Sequence, residues 1–470
     1  MSLDLKTSNA QHIDKKARFS VMSDLYQKNL GVIHRRWPEL ANLIDIQEIE
    51  HLDACVVDGK HQTISVEGIQ LSSRYDPIEE AFMYRKHTSG DEYHVMGCGM
   101  GDVPKILMHD KNAKKVFIHI INPDVFKLVL HFTDQPWLND ERFHCLHDTL
   151  MNTSVSEVVL KHPGAIILPQ EIILAKRKTP NLYYHYESII FYRYAIQQFN
   201  SDGSIEFDQL RIKENLPLLR KKKPVDELFK KHGKKHQSVI LIGAGPTLEE
   251  NIDKLKEVYK KPGRPYIVAA SMAGKLLYKH EIYPDVIVNV DRGKGLEDNN
   301  QDLADFFPFE LARHKTRFVC STLTPHNILK DWRGKTYYAN LLTEDYDKIQ
   351  EILPSIRLYM YGSVIASALH IAFAIATQRV YFMGMDFSFP DNKFHAGMDN
   401  STHEKTMKAN TSVINGYGEE VETEISYRTF LTGVENFISM QKVNELEFIN
   451  CSRRGAKIAN TTYLDDQEII

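Results

Sequence analysis

Short apolar runs that end in a cluster of glycines divide the chain into two parts. The first run, Tyr93-His-Val-Met96, leads into Gly97-Cys-Gly-Met-Gly101, and the second, Val239-Ile-Leu-Ile242, leads into Gly243-Ala-Gly-Pro-Thr247. Further apolar runs follow at a spacing that leaves room for helices: Val116 to Ile121 after the first cluster, and Tyr266 to Ala270, Val286 to Val290, Phe318 to Cys320 and Val380 to Met383 after the second. Strands that alternate with helices in this way predict parallel, doubly wound sheets. The pattern therefore predicts an α/β fold with two Rossmann-like domains.

A basic stretch at residues 220–235, with eight basic and two acidic side chains, predicts a domain boundary between residues 215 and 235. It is either a solvated linker with a short helix or a surface that attracts an anionic ligand or partner. The first predicted domain, 1–215, has a helical segment up to His51 and a strand hairpin that turns at Asp58-Gly59, both before its Rossmann-like part. The central domain covers 216–400, and a short C-terminal extension, 401–470, has one helix near 427–442.

The composition excludes several functional classes. Lys and Arg number 58 against 62 for Asp and Glu, so the whole chain has no positive field that would favour nucleic acid. The five cysteines form no CxxC pair, and His144 and His147 have no further ligands nearby, so we expect neither a disulfide framework nor a metal site. The charged start and the interrupted apolar runs argue against export or membrane insertion. We expect a cytoplasmic protein.

The glycine turn Gly243-Ala-Gly-Pro-Thr247 is a candidate phosphate site. Small residues let the backbone turn sharply from strand into helix while its N–H groups stay uncovered. The turn lacks both the third glycine of the dinucleotide fingerprint and the lysine of the Walker loop, so neither NAD nor a P-loop kinase is predicted. The alternative is a plain tight turn, in which Thr247 and Glu250 form a capping box for the next helix.

Polar residues at the ends of the other predicted strands add to this candidate site. Ser271, Asp291 and Asp386 follow three apolar runs, and ligands of open α/β sheets lie beyond the carboxyl ends of the strands. Gly362 and Ser363 open an apolar helix, where Ser363 is either part of a second anion site or the N-cap of a core helix. Among 21 histidines, His395 lies nine residues beyond Asp386, and its imidazole is suited to act as a general base.

The order of these motifs resembles a known family. The residues that carry the resemblance are Ser72-Ser-Arg-Tyr-Asp-Pro-Ile-Glu-Glu-Ala81, Gly243-Ala-Gly-Pro-Thr-Leu248, Pro284-Asp-Val-Ile-Val-Asn-Val-Asp291, Gly362-Ser-Val364 and Phe382-Met-Gly-Met-Asp386, with His395 beyond. Over roughly residues 70–460 the chain is similar to the motility accessory factors, bacterial proteins associated with glycosylating flagellin. That family shares its central domain with archaeal 6-hydroxymethylpterin pyrophosphokinases.

The resemblance implies a central domain similar to bacterial sialyltransferases. The implied reaction moves a nonulosonic acid of the pseudaminic or legionaminic type from a CMP-sugar to serine or threonine of flagellin. The donor leaves as a monophosphate, so no cofactor or divalent metal is obligatory. The candidate catalytic residues are His395 and Asp386. The candidate donor-binding residues are Gly243, Gly245, Pro246, Thr247, Ser271, Asp291, Gly362 and Ser363.

Two departures from the family pattern bear on these expectations. Thr247 stands where the family more often has serine, and only residues 396–470 follow His395, whereas larger members carry a further helical region. The alternatives are a pterin or nucleotide pyrophosphokinase that uses ATP and magnesium, with Asp386 and Asp391 as acidic ligands, and a non-catalytic flagellin-binding or assembly factor.

The first glycine cluster resembles a methyltransferase turn, and we expect it to be catalytically silent. The second strand there ends in Asn122, where an acidic residue would usually hold the ribose hydroxyls of such a cofactor. Docking of the acceptor is the function left for this domain.

Overall fold

The structure, a computed structural model, describes residues 15–86, 88, 90–147, 165–178, 183, 187, 188, 191, 204–293, 301–343, 346–397, 411–441 and 446–464. The chain forms two compact units, Met1–Tyr186 and Glu187–Ile470. Within the described residues, no helix is both long enough and apolar enough to cross a bilayer. All five cysteines are free thiols.

The first unit combines a small antiparallel sheet with a parallel one. Its helices are α1 (Lys15–Arg36), α2 (Pro38–Asp45), α3 (Pro77–Arg85), α4 (Asp102–Met108), α5 (Pro123–Phe132) and α6 (Pro169–Ala175). Its strands are β1 (Ala54–Val57), β2 (Thr63–Val66), β3 (Ile69–Gln70), β4 (Glu92–Met96), β5 (Lys115–His119), β6 (Phe143–Leu146) and β7 (Ile166–Ile167). The antiparallel order β1-β2-β3 contains the predicted hairpin, and the parallel order is β6-β5-β4-β7.

The second unit contains most of the regular structure. Its helices are α7 (Ser204–Leu219), α8 (Asp226–His232), α9 (Leu248–Lys260), α10 (Gly274–Lys279), α11 (Gln301–Phe306), α12 (His326–Asp331), α13 (Asp347–Ile352), α14 (Val364–Ile375) and α15 (Ile425–Met440). Its strands are β8 (Lys223–Pro224), β9 (His236–Ile242), β10 (Tyr266–Ala270), β11 (Val286–Asn289), β12 (Arg317–Ser321), β13 (Thr336–Leu341), β14 (Arg357–Leu358), β15 (Ala376–Met383), β16 (Thr411–Ile414), β17 (Glu420–Thr423), β18 (Glu447–Asn450) and β19 (Thr462–Tyr463).

Ten of these strands form one parallel sheet in the order β14-β13-β12-β11-β10-β9-β15-β18-β19, with β8 also paired to β13. From β9 the chain adds strands outward to β14, then returns to place β15 on the other side of β9. The direction of winding therefore reverses between β9 and β15, and loops at such a reversal border a crevice at the carboxyl edge. The predicted α/β class, with a parallel sheet in each of two units, is confirmed.

The two faces of the large sheet are covered by different helices, because neighbouring side chains of a strand point to opposite faces. On β9, Val239 and Leu241 join the core on the α14 side, while Ile240 and Ile242 join the core on the α9 side. Helix α14 is almost wholly apolar and has most of its residues buried, as a helix that crosses the middle of a sheet must be.

The boundary between the units lies before residue 187, upstream of the predicted position at 215–235. Helix α7 belongs to the second unit because the Asn215 amide donates to the carbonyl oxygens of Thr322 (3.1 Å) and Thr324 (2.8 Å). The basic stretch is not a linker either, since it contains α8 and β8, which pairs with β13.

The C-terminal segment differs from the predicted short helical extension. The predicted helix is present as α15, but β16 and β17 form an antiparallel hairpin before it. After α15, β18 pairs in parallel with β15, and β19 pairs with β18. This segment therefore completes the central sheet.

Candidate functional site

The glycine turn after β9 packs directly against the loop after β15. The Gly243 amide donates to the carbonyl oxygen of Met383, and the Gly245 amide to that of Gly384, both at 2.8 Å. A Cβ atom on Gly243 would lie 2.3 Å from the Gly384 oxygen, and one on Gly245 would lie 2.4 Å from Oδ2 of Asp386. The glycines are therefore needed for the two loops to close on each other where the winding reverses.

Asp386 fills the space at the start of α9. It is 2% exposed, and its carboxylate accepts hydrogen bonds from the Thr247 amide (2.8 Å), the Thr247 hydroxyl and the Ser452 hydroxyl (3.2 Å). Burial raises the pKa of Asp386 to about 6, although these hydrogen bonds act in the opposite direction. The carboxylate occupies the position at the helix start that the sequence analysis assigned to a phosphate.

The predicted capping box of Thr247 and Glu250 does not form. Thr247 makes no side-chain cap bond because its hydroxyl donates to Asp386 instead, and Glu250 pairs with Arg454 at 2.6 Å. Pro246 is buried beside Thr247. The predicted donor-binding amides of Gly243, Gly245 and Thr247 thus all have acceptors within the protein.

The loop that carries His395 lies against this turn. The amide of Ala396 donates to the carbonyl oxygen of Ala244 at 2.9 Å, and Glu249 on α9 accepts from the Gly397 amide (2.7 Å) and from Lys393 (2.9 Å). The structure therefore brings the backbone at His395 next to the glycine turn, although the sequence places them far apart. The His395 side chain is half-buried.

A cleft of about 490 Å³ opens beside the same loop, between the segment after β15 and the β16–β17 hairpin. Asp391 and Asn392, at its edge, both have left-handed backbone conformations, with φ of 56° and 55°. Arg454 is ion-paired with Asp391 and Glu250, so the remaining lining charge is negative. The lining residues are Phe389, Pro390, Asp391, Asn392, Asn415, Tyr417, Glu419, Val421, Glu422 and Arg454. This charge suits neutral or cationic ligands better than anionic ones.

The remaining predicted residues lie at the carboxyl edge on the other side of β9. Ser271 is buried at the end of β10, and Asp291 is exposed two residues after β11, where its carboxylate accepts from the Gly293 amide at 2.8 Å. Gly362 has a φ of +73°, which lets the chain turn into α14. Ser363 occupies the N-cap position without a side-chain cap bond, and its enclosed hydroxyl has no partner among the described residues.

Helix α7 supports this edge, a role that the sequence analysis missed. Asp208 forms two hydrogen bonds with Arg292, at 2.9 and 3.0 Å, just beyond β11. About two helical turns further along α7, the Asn215 side chain donates to two carbonyl oxygens of the loop after β12. The signal in the sequence was the spacing of polar residues at 208, 211 and 215, which share one helix face.

The glycine turn of the first unit is likewise filled by a carboxylate of its own unit. Glu171 accepts from the amides of Cys98 (3.2 Å) and Gly99 (2.9 Å), and from the side-chain amide of Asn122 (2.7 Å). A Cβ atom on Gly97 would lie 2.5 Å from Cγ of Glu171. Burial raises the pKa of Glu171. These amides of the turn are therefore hydrogen-bonded within the unit, and the catalytic silence of the turn stays a prediction.

Comparisons with known proteins give two results for this chain. Residues 210–392 match the family described as 6-hydroxymethylpterin diphosphokinase MptE-like. A solved structure titled as the MAf glycosyltransferase from Magnetospirillum magneticum AMB-1 is 14% identical, with coverage of 95% of this chain and 75% of that chain, at a TM-score of 0.45. No curated protein matches. A structural likeness of this extent establishes nothing about the activity of this chain.

Proposed function

We propose that the protein is a glycosyltransferase that moves a nonulosonic acid of the pseudaminic or legionaminic type from a CMP-sugar to serine or threonine of flagellin. The observation that carries the proposal is the convergence of polar groups at the carboxyl edge of the large sheet. Ser271, Asp291 and Ser363 lie there on one side of β9, and the loop of His395 lies on the other. The ordered motifs described above support the choice of reaction.

The charges favour one placement of the two substrates. A CMP-sugar is anionic, so it fits the β10–β12 side, where Ser271 and the start of α14 offer hydroxyl and amide donors. The cleft beside Asp391 and Glu422 is acidic, so we place the acceptor on that side. His395 lies on the loop between them.

In the proposed reaction the acceptor hydroxyl attacks the anomeric carbon of the sugar. The new carbon–oxygen bond forms as the bond to the CMP phosphate breaks, CMP leaves with the electron pair, and His395 takes the hydroxyl proton. Asp386 is buried and hydrogen-bonded to Thr247 and Ser452, so we assign it as a positioning residue that holds the two loops together. Its predicted direct catalytic role would require these bonds to break.

The test is intact-mass analysis of flagellin coexpressed with a nonulosonic acid pathway and this protein. Wild type should add the mass of the sugar. His395→Ala should keep CMP binding but lose transfer by about 10²- to 10⁴-fold, since a positioned general base contributes that much. The matched control is His280→Ala, at the opposite edge of the sheet, which should modify flagellin like wild type.

The outcomes separate the parts of the proposal. No mass increment with wild type would exclude the transferase function. Full modification with His395→Ala would exclude only the assigned base.

The second candidate is a pyrophosphokinase, which the family match over residues 210–392 favours. It would need ATP with magnesium and would form AMP. The two predicted acidic ligands have separate partners, Asp386 with Thr247 and Asp391 with Arg454. Thermal shift with CMP, CDP and ATP distinguishes the two enzymes, and flagellin capture without turnover would indicate the non-catalytic factor.

A further inference from the structure

Arg211, on helix α7, is a buried charge with little compensation. The residue is 3% exposed, and its Nε atom is enclosed and has no hydrogen-bond partner among the described residues. Two carboxylates act on it: Glu214, 3.9 Å from Nε and 44% exposed, and Asp208, which is hydrogen-bonded to Arg292. A separation of 3.9 Å is too long for a hydrogen bond, so Nε has no close acceptor among the residues that the structure describes.

Arg428, on helix α15, is a second deeply buried arginine among the described residues of this unit. It is also 3% exposed and its Nε is also enclosed, but its terminal nitrogens pair with Glu187 at 2.7 Å and donate to the carbonyl oxygen of Ser412. A buried charge without such partners is destabilising. Burial accordingly lowers the pKa of Arg211. The fold therefore retains at Arg211 an unfavourable group that a bound anion would satisfy.

The position of Arg211 connects it with the candidate site. On the same face of α7, Asp208 binds Arg292 beyond β11, and Asn215 binds Thr322 and Thr324 beyond β12. Arg211 lies between these two anchors along the helix, at the carboxyl edge of the sheet. Arg211 and Arg292 also flank the same ring, with their guanidinium carbons 5.2 and 5.6 Å from the centre of Phe207.

We propose that Arg211 binds an oxyanion of the substrate, a carboxylate or a phosphate, at the carboxyl edge beside β11 and β12. The planar guanidinium offers two parallel N–H donors that match either group. Arg292 is already neutralised by Asp208, so it contributes a further hydrogen-bond donor to this site rather than a net positive charge. The assignment of this oxyanion to a CMP-sugar rests on the proposed function, whereas the anion site itself does not.

The experiment measures binding by calorimetry and thermal shift with inorganic phosphate, CMP and N-acetylneuraminic acid, a simple nonulosonic acid. Wild type should bind at least one of them. Arg211→Met should bind it about ten- to one-hundred-fold more weakly, the value of a hydrogen-bonded charge pair. Without ligand, its melting temperature should equal or exceed that of wild type, because the substitution removes a buried charge whose Nε makes no hydrogen bond among the described residues.

The matched control is Arg264→Met, at the amino edge of the same sheet. Arg264 pairs with Asp285 at 2.7 Å, so this variant should melt at a lower temperature but bind all three probes like wild type. Arg211→Lys keeps the charge without the planar fork and should also bind more weakly. It serves as the test if Arg211→Met fails to fold.

The three probes distinguish the sources of the oxyanion. If Arg211→Met weakens the binding of phosphate and CMP, the bound oxyanion is a phosphate. If it weakens the binding of N-acetylneuraminic acid alone, the bound oxyanion is a carboxylate. If Arg211→Met weakens the binding of inorganic phosphate, and neither CMP nor the sugar acid binds to wild type, the anion site is supported but a CMP-sugar as its ligand is excluded. Equal affinities of wild type and both Arg211 variants, or no binding of any probe to wild type, would overturn the site.

Discussion

Asp386, in the candidate site, is a buried carboxyl group whose pKa is raised by the fold. Its folded pKa of about 6 lies above the ordinary value of 3.8, so the folded protein holds this proton more tightly than the unfolded chain does. The contribution of Asp386 to stability is therefore greatest below pH 3.8 and is lost as the pH rises through about 6. The difference of the two pKa values corresponds to about 3 kcal/mol.

Replacing Asp386 with asparagine removes this titration but keeps the shape of the side chain. The free energy of unfolding of wild type, relative to Asp386→Asn, should fall by about 2 kcal/mol between pH 4 and pH 6, which is most of that difference. Chemical denaturation at a series of pH values measures this difference. The control is Asp253→Asn, an exposed aspartate on α9, which should leave the profile unchanged.

A constant offset between wild type and Asp386→Asn across this range would contradict the prediction, because it would mean that the carboxyl titrates alike in the folded and unfolded states. The offset itself is not informative. It reflects the exchange of one hydrogen-bond acceptor for a donor near Ser452.

On the scale of the single element, helix α14 has a buried histidine, His370. Its contribution to stability changes with pH in the opposite direction to that of Asp386. His370 accepts a hydrogen bond on Nδ1 from the Tyr359 amide at 3.0 Å, and burial lowers its pKa from 6.5 to about 4. The neutral form is the one that fits, so its contribution to stability is complete above pH 6.5. That contribution is lost progressively as the pH falls from 6.5 to 4.

We predict that His370→Gln reduces the loss of folding stability between pH 6.5 and pH 4. Wild type should lose up to about 3 kcal/mol more than the variant between pH 6.5 and pH 4. The measurement is the same denaturation series, and the exposed His314→Gln is the control. Parallel profiles of wild type and His370→Gln would contradict the prediction, because they would mean that His370 takes up its proton at the same pH in the folded and unfolded chains.

Elements of the sheet differ in how well their sequence predicts them. The apolar runs at β9, β10 and β15 are long enough to indicate strands without knowledge of their neighbours. β13 is not predicted because Asn340 interrupts its pattern. In the structure Asn340 is fully buried, and its amide donates to Gln350 (2.6 Å) and to the carbonyl oxygen of Leu353 (2.8 Å). Only the fold supplies these acceptors.

The same limit applies to the candidate site. The sequence predicts a sharp turn at Gly243 to Thr247, because glycine and proline act locally. It does not predict what fills that turn, since Asp386 is 139 residues from Thr247. Nor does local pattern show that Arg211 is buried, because a charged residue on a helix is usually exposed.

On the scale of the whole molecule, each unit has its own hydrophobic core, and the C-terminal strands belong to the core of the second unit. Phe448 of β18 is opposite Val380 of β15, and beyond β18 the Ala456 amide donates to the carbonyl oxygen of Asp386 at 2.7 Å. Phe448, Ile449 and Ile458 are all buried. Each such side chain contributes about 1.5 to 3 kcal/mol, and their sum approaches the stability of a typical domain.

A chain that ends at Gln441 should therefore lose the structure of the second unit while the first unit stays folded. Hydrogen exchange should show that amide protection in β9 and β15 falls to the level of an unfolded chain, whereas β4 and β5 remain protected as an internal control. A chain that ends at Leu464 keeps β18 and β19 and should behave like the full chain. Full protection of β9 and β15 in the shorter chain would contradict this prediction, because it would show that the central sheet is stable without its last two strands.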